Sequence, residues 1–221
     1  MAVFHIRALQ IGSNSSPSLP RISTKRMMDL GCVLISLPVL LPLLFSIAFV
    51  LSFRRGPILF SQIRVGKNSQ LFRIWKFRSM AVGAENQLLG HLRADTAAAL
   101  EWSISRKLRR DPRVTKFGSF LRRTSLDELP QIWNILQGDM SLVGPRPVPR
   151  DELDKEYQNH KYAYHSCRPG LTGLWQVSGR HHLSYAKRVQ LDCRYAANQS
   201  TMGDITILLR TVRIIWECDG C

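Results

Sequence analysis

The feature that most constrains this chain is an uncharged, mostly apolar run over residues 30–53. As a single helix the run would be about 36 Å long, enough to match a hydrocarbon core of about 30 Å. A buried core helix is the alternative, but a chain of 221 residues has little room to enclose a helix so long and so uniformly apolar. The run therefore predicts a membrane-associated helix, which we place at residues 24–53.

Two prolines inside this run, Pro38 and Pro42, argue against a straight span, because each removes a helical hydrogen bond and bends the axis. Basic residues stand on both sides of the run: Lys25, Arg26, Arg54 and Arg55. Positive charge on both flanks favours the cytoplasmic side for both ends. We therefore expect a re-entrant helix, which enters the membrane and returns to the same face, so that the protein is monotopic.

The rest of the sequence predicts a tail and one further domain. Residues 1–23 are polar and rich in Ser and Pro, which is typical of a disordered tail. Residues 54–221 are predicted to form a single further domain. Within it, two β-rich runs at 58–65 and 70–77 flank the turn residues 66–69 and predict a β-hairpin.

Helical patterns fill most of the remaining domain. Residues 81–110 are predicted to be helical with breaks near Gly90 and Asp95, and residues 149–165 form a polar helix candidate. Ser184 is a predicted cap for a helix that reaches about residue 199.

The final predicted helix, residues 203–216, is amphipathic. Its apolar stripe consists of Ile205, Leu208, Leu209, Val212, Ile215 and Trp216. Such a stripe suits either core packing or an interfacial position on a membrane. Together these patterns predict an α+β, mainly helical fold with a re-entrant N-terminal helix, a β-hairpin and amphipathic interfacial helices.

The net charge of the chain indicates what kind of partner it binds. The formal net charge is +15, from 31 Lys and Arg against 16 Asp and Glu. Such an excess indicates an anionic partner: nucleic acid, a membrane surface or phosphorylated small molecules. The five cysteines suggest no disulfide framework, and Cys218 with Cys221 is a weak indication of a metal site because no second ligand pair accompanies it.

The candidate site is the stretch 121–147, which opens with arginines and then places two adjacent carboxylates. Ser125 and Glu128 have capping-box spacing, so a helix start is predicted there. Asp127 would then lie at the positive end of a helix, close to Arg122, where an ionised carboxylate and phosphate are both favoured. The alternative is that these residues only cap a helix.

Two further segments contain cationic side chains that could bind phosphate. Lys76 and Arg78 end the predicted hairpin and could hold a diphosphate, or could simply be the outward charges of an edge strand. Pro145 and Pro147 flank Arg146 and hold it in a stiff, extended backbone, which reduces the entropy lost when its guanidinium grips an anion.

With these residues in view, the chain resembles the bacterial sugar transferases, or monotopic phosphoglycosyl transferases, which begin exopolysaccharide and O-antigen repeat units on a lipid carrier. The segments that carry the resemblance, in order, are Lys25-Arg26, Gly56-Pro57, Arg64-Val65-Gly66, Lys76-Phe77-Arg78-Ser79-Met80, Asp111-Pro112-Arg113, 121–131, 138–147 and 168–176. Residues 145–185 look most like the transferases that load galactose-1-phosphate.

The resemblance implies transfer of a hexose-1-phosphate from a UDP-sugar to undecaprenyl phosphate, with release of UMP, at the cytoplasmic face of the bacterial inner membrane. It implies a membrane helix broken near Pro38, and a chain like the small family members that lack additional N-terminal spans. It also implies that residues 54–221 are the cytoplasmic catalytic domain. No nucleic-acid partner is expected, and a homo-oligomer is left open.

The resemblance also implies residue roles. Asp127 is the nucleophile, whose carboxylate forms an acyl-phosphate with the sugar-bearing phosphate. Glu128 holds Mg²⁺, which bridges the diphosphate. The remaining implied contacts to substrate come from Arg122, Lys76 or Arg78, Pro145, Arg146 and Pro147.

Two other functions stay open at this point. A membrane-tethered basic protein that binds nucleic acid or anionic lipid would account for the charge, and glucose-1-phosphate could be transferred by the same chemistry. An inactive scaffold is a third reading, and the intact pair Asp127 and Glu128 argues against it.

Overall fold

The structure is a computed structural model that describes residues 23–105, 108, 110–179 and 182–216. The predicted tail up to residue 22 and the pair Cys218 and Cys221 lie outside the described residues. The described part is mainly helical with two small sheets, so the predicted α+β, mainly helical class is confirmed.

The elements follow one another in a simple order. The helices are α1 (Thr24–Ser52), α2 (Ala84–Ala94), α3 (Thr96–Ser105), α4 (Lys116–Arg123), α5 (Gln131–Gln137), α6 (Arg150–Glu152), α7 (Lys161–Ser166), α8 (Tyr185–Ala197) and α9 (Thr201–Trp216). The strands are β1 (Leu59–Val65), β2 (Leu71–Phe77), β3 (Ser141–Val143) and β4 (Gly170–Thr172).

The predicted hairpin is confirmed. Strands β1 and β2 pair antiparallel in a register that sets Phe60 opposite Lys76 and Arg64 opposite Phe72. The turn between them is a short 3₁₀ segment in which Asn68 has a φ of 54°, a left-handed conformation that asparagine tolerates better than most residues. The second sheet is a short parallel pair formed by β3 and β4.

Helix α1 is continuous through both prolines, and it is long and apolar enough to cross a membrane by length and composition. One face packs on the domain along most of the helix: Asp29 and Val33 are buried near its start, Ile47 and Leu51 near its end. The opposite face is exposed, and Ile35 keeps 82% of its surface open. A long apolar face is therefore left without a protein partner in the described structure.

The core explains how this helix is held. The first half of α1 packs through Val33 against Ile74 of β2 and Ile135 of α5. Its second half packs through Ile47 against Phe77, the last residue of β2. Both halves of α1 therefore share apolar clusters with residues of β2.

Three helix predictions have different outcomes. A break does separate α2 from α3 at Asp95, whose carboxylate accepts the Ala98 N–H at 3.0 Å. Gly90, the other predicted break, lies inside α2, because one glycine weakens a helix without ending it. Ser184 caps α8 as predicted, with its hydroxyl accepting the Lys187 N–H.

The polar helix predicted over 149–165 is wrong as a single element. The chain instead forms α6, a π-helical turn, a 3₁₀ turn and α7. Gln158, the first residue of the 3₁₀ turn, has a φ of 40°, and residues of a regular right-handed helix have negative φ.

Part of the predicted apolar stripe of helix α9 faces outward, whereas Leu208 packs against the core, and the side chains of Ile215 and Trp216 lie outside the described structure. Asp204 and Ile207 face the core, whereas Met202, Leu209 and Val212 keep 72%, 68% and 64% of their surface exposed. Core packing of the whole stripe is therefore wrong. The exposed stripe instead suits the interfacial alternative.

The rotation of α9 is set by a buried polar cluster around Asp204. Lys25 of α1 donates to Asp204 at 2.6 Å, to the carbonyl of Val143 at 2.9 Å and to the Tyr195 hydroxyl at 3.0 Å. Tyr195 in turn donates to the other Asp204 oxygen at 2.8 Å. Since Asp204 is only 1% exposed, this cluster ties the start of α1 to α8 and α9.

Replacing Lys25 with methionine is expected to destabilise the fold by about 3–5 kcal/mol, because a buried carboxylate loses its cation. For a chain of this length that corresponds to a fall of roughly 6–20 °C in the melting temperature in detergent. Lys155→Met is the matched control, since its ion pair with Glu156 lies at the surface. Equal melting temperatures for the two variants would show that the buried cluster stabilises the fold no more than the surface ion pair of Lys155 does.

Candidate active site

The two adjacent carboxylates lie in a 3₁₀ turn, Leu126–Glu128, which we call the acidic turn. Ser125 precedes it with a φ of 57° and makes no capping hydrogen bond, and α5 starts only after Pro130. The predicted capping box is therefore wrong, because a left-handed Ser125 does not have the extended backbone of an N-cap residue. Helix α5 ends at Gly138, whose left-handed φ of 92° is typical of a glycine at this position.

Two leucines hold the acidic turn in an apolar cluster. Leu126 and Leu129 pack in the cluster that contains Ile47 and Leu51 of α1 together with Phe77 and Leu121. Asp127 lies between the two leucines in sequence and is 8% exposed. The two carboxylates are thereby held next to a cluster to which α1 contributes.

Glu128 is held by two cations. Its Oε1 accepts from Lys76 Nζ at 2.6 Å and from Arg146 Nη2 at 3.3 Å. Burial acts to raise the pKa of Glu128, but the two cations outweigh it and lower the pKa to about 2. Glu128 is therefore ionised at any physiological pH.

The pKa of Asp127 is shifted in the opposite direction to that of Glu128. Burial and then the neighbouring Glu128 charge raise its pKa to about 6, while Lys76, Arg122 and Arg146 act to lower it. The expectation that a helix terminus favours its ionised form is wrong, because no helix begins at Asp127. No hydrogen bond or ion pair reaches its carboxylate within the described residues, so at neutral pH it is mostly ionised and unengaged.

Arg122 reaches the site from α4. Its Nε donates to Ser79 Oγ at 2.9 Å, and its charge acts on Asp127. The α4 backbone approaches closely at Gly118, where an added Cβ would lie 1.8 Å from the Ser79 carbonyl oxygen. A glycine at this position therefore lets α4 carry Arg122 toward the acidic turn.

The structure places four of the eight predicted site residues around one pocket, which the side chains of Asp127 and Arg122 do not line. The residues that line this pocket are Arg64, Ile74, Lys76, Glu128, Gln131, Arg146, Pro147, Gly170 and Leu171. Pro145 is fully buried behind it, and its carbonyl accepts the Gly170 N–H at 2.8 Å. Arg78 lies elsewhere: its guanidinium packs against Gly56, and its buried Nη1 has no hydrogen-bond partner in the described structure.

Sequence reasoning missed Arg64 and Gln131 as pocket residues. The hairpin register could have found Arg64, because Arg64 and Lys76 fall on the same face of the two-stranded ribbon. Nothing in the sequence pattern marks Gln131.

The arginine between the prolines is positioned by a close backbone contact. An added Cβ at Gly170 would lie 2.1 Å from the Gly144 nitrogen, so only glycine allows β3 and β4 to approach here. The chain leaves β3 at Gly144 and enters the segment that carries Arg146 directly into the pocket.

The donor set at the acidic turn suits a magnesium ion that substrate helps to hold. Within the described residues no group of three or more His, Cys, Asp or Glu side chains could hold a metal ion. Asp127 and Glu128 offer two adjacent carboxylates, and Mg²⁺ is often bound through one or two carboxylates together with substrate phosphates. The residues thus fit a metal that arrives with a phosphorylated ligand.

Comparison with known proteins identifies the family of the chain. A family model described as bacterial sugar transferase matches residues 20–218. The chain belongs to the bacterial sugar transferase family. The predicted family resemblance is therefore confirmed.

Several curated bacterial sugar transferases are similar to the chain. It is 42% identical to the UDP-galactose-lipid carrier transferase of Erwinia amylovora, over 97% of this chain and 45% of that protein. It is 40% identical to the undecaprenyl-phosphate galactose phosphotransferase of Salmonella typhimurium, with the same coverage. It is 44% identical to the exopolysaccharide production protein ExoY of Sinorhizobium fredii, over 86% of this chain and 84% of that protein. The chain thus spans about half the length of the first two relatives and most of the third.

Proposed function

We propose that this protein transfers a hexose-1-phosphate from a UDP-sugar to undecaprenyl phosphate, releases UMP, and so begins an exopolysaccharide repeat unit. The observation that carries the proposal is the buried, unengaged carboxylate of Asp127 beside Glu128, which two cations clamp. An ionised carboxylate next to cations can attack a phosphate that those cations bind. The names of the Erwinia and Salmonella relatives support a galactose donor and a lipid acceptor.

In the first step, an oxygen of the Asp127 carboxylate attacks the phosphorus that bears the sugar. A P–O bond forms to Asp127, and the bond to the bridging oxygen breaks, so that the electron pair leaves on UMP. Lys76 and Arg146 lie where they can neutralise charge on the phosphate oxygens, and Arg122 adds positive potential. No proton needs to move in this step.

In the second step, a phosphate oxygen of the lipid carrier attacks the same phosphorus. The new P–O bond joins the sugar phosphate to the lipid, and the bond to Asp127 breaks to restore the carboxylate. Glu128 keeps Lys76 and Arg146 in place through both steps. Mg²⁺, if held by Glu128 and substrate oxygens, would supply further charge neutralisation on the diphosphate.

The location of the site supports action at one membrane face, which we propose is the cytoplasmic face of the inner membrane. Both ends of α1 pack on the same domain, which is the arrangement expected of a re-entrant or surface-lying helix and not of a span that carries its second end across the bilayer. The exposed faces of α1 and α9 offer apolar surface to lipid. A water-insoluble acceptor would then meet the acidic turn at the level of the headgroups, which is a proximity effect.

The test is incubation of the purified full chain in detergent with Mg²⁺ and a UDP-sugar, without acceptor. We expect UMP release that stops near one equivalent per enzyme, and continuous turnover into an organic-soluble product once undecaprenyl phosphate is added. UDP-galactose and UDP-glucose carrying label in the sugar would identify the hexose. Release of UDP in place of UMP would contradict the proposal, as would salt-dependent nucleic-acid binding with no UMP release.

A further inference from the structure

Arg64 is a pocket residue to which the proposed mechanism gives no task. It lies on β1 and lines the same pocket as Lys76, Glu128 and Arg146. Its Nη2 donates to Gln62 Oε1 at 2.7 Å, whereas its buried Nε has no hydrogen-bond partner in the described structure. A buried charged donor without an acceptor is costly, so its presence at a pocket wall calls for a ligand.

The surroundings of Arg64 favour an anionic ligand. No carboxylate forms an ion pair with Arg64 within the described residues, and Glu152, the acidic residue with the strongest effect on it, accepts a hydrogen bond from the Tyr185 hydroxyl at 2.6 Å. Burial and the neighbouring Arg146 charge lower the pKa of Arg64. Arg146 already has Glu128 as a partner, whereas no carboxylate pairs with Arg64, so an anion bound at Arg64 would offset its repulsion from Arg146.

The hairpin register gives Arg64 a definite place in the pocket. Lys76 is opposite Phe60, and Arg64 lies four residues further along β1, which is about 13 Å along the strand. The two long side chains project from the same face and approach the pocket from opposite ends, with Ile74 on the strand between them.

The same order appears in the electrostatics. Asp127 responds to Lys76, Arg122 and Arg146, and Arg64 is not among the charges that dominate its pKa. Arg146 acts on both Asp127 and Arg64 and lines the pocket together with Arg64, so it is close to both residues. A ligand phosphate attacked by Asp127 would contact Lys76 and Arg146, and the next phosphate of the same ligand would lie between Arg146 and Arg64.

We propose that Arg64, together with Arg146, binds the nucleotide-side phosphate of the donor, which is the phosphate that leaves on UMP. This inference rests on the proposed function. When the bridging P–O bond breaks, the electron pair moves onto that phosphate, and a guanidinium already facing it stabilises the developing charge. Arg64 therefore acts on the leaving group, whereas Lys76 and Arg122 act near the phosphorus under attack.

The test compares UMP with uridine, since the two ligands differ only by the phosphate in question. We expect Arg64→Gln to weaken UMP binding by about 10- to 100-fold, the range for losing a hydrogen bond to a charged group, and to leave uridine binding unchanged. The binding is measured directly on the full chain in detergent, and UMP release from donor alone is expected to slow by a similar factor. Arg73→Gln is the matched control, because Arg73 is an exposed cation of the same hairpin that does not line the pocket.

Each outcome of this test is decisive. An unchanged ratio of UMP to uridine affinity in Arg64→Gln would overturn the assignment of Arg64, as would an effect confined to the KM for undecaprenyl phosphate. Arg64→Lys tests the assignment if the glutamine variant does not fold. It keeps the positive charge but lacks the planar fork of the guanidinium, so we expect a smaller loss of UMP affinity than in Arg64→Gln. No loss of UMP affinity in Arg64→Lys would overturn the assignment. Wild-type protein that neither binds UMP more tightly than uridine nor releases it would instead contradict the proposed function.

Discussion

Replacing Asp127 with asparagine is expected to lower turnover by at least about 10³-fold, and no phosphorylated enzyme should be trapped with donor alone. Asparagine has nearly the same shape but cannot supply the ionised oxygen that attacks phosphorus. The effect should fall on kcat far more than on donor binding, because Lys76, Glu128 and Arg146 remain in place.

Stability separates this catalytic effect from a folding defect. Burial and the Glu128 charge raise the pKa of Asp127 to about 6, so at neutral pH its ionised form weakens the folded state, and the neutral asparagine is expected to melt at the same temperature or higher. Asp154→Asn is the control for a carboxylate at the exposed surface, where an ion pair contributes little. Retention of most activity in purified, folded Asp127→Asn would rule out Asp127 as the nucleophile.

Replacing Glu128 with glutamine is expected to cost about 10²- to 10³-fold in kcat, the range for removing one preorganised electrostatic group from an active site. Glu128 orients Lys76 at 2.6 Å and Arg146 at 3.3 Å, and without its charge neither cation is held over the phosphate. If Glu128 also holds Mg²⁺, the variant should require more Mg²⁺ for half-maximal rate.

The pH profile gives this variant a second readout. In the wild type, kcat/KM should fall on the acid side near pH 6, because protonation of Asp127 removes the nucleophile. The Glu128 charge raises the pKa of Asp127, so Glu128→Gln should move this acid limb to lower pH. The control Glu85→Gln, in the exposed first turn of α2, should change neither rate nor profile. An acid limb that stays in place in Glu128→Gln would show that another group governs it.

Sequence patterns predicted the hairpin correctly but not the conformation of the acidic stretch. Alternation of β-formers and a turn predicted β1 and β2 within one residue, because hairpin contacts are local in sequence. The same reasoning failed at Ser125, where spacing predicted a helix cap and the chain forms a 3₁₀ turn. Leu126 and Leu129 pack there in a cluster with residues of α1 and β2, which are far away in sequence, and no local pattern records these contacts.

The sequence by itself determined the apolar helix, the hairpin, the helical class and the family, since each depends on periodicity or on short segments that act locally. It also named most of the residues around the acidic turn. Only the tertiary structure decided which carboxylate is clamped and which is left unengaged, that Arg64 belongs to the pocket, and which face of α9 is exposed. Those outcomes depend on distances between residues that are far apart along the chain, such as Lys76 and Glu128 or Lys25 and Asp204, and on the burial that these contacts create.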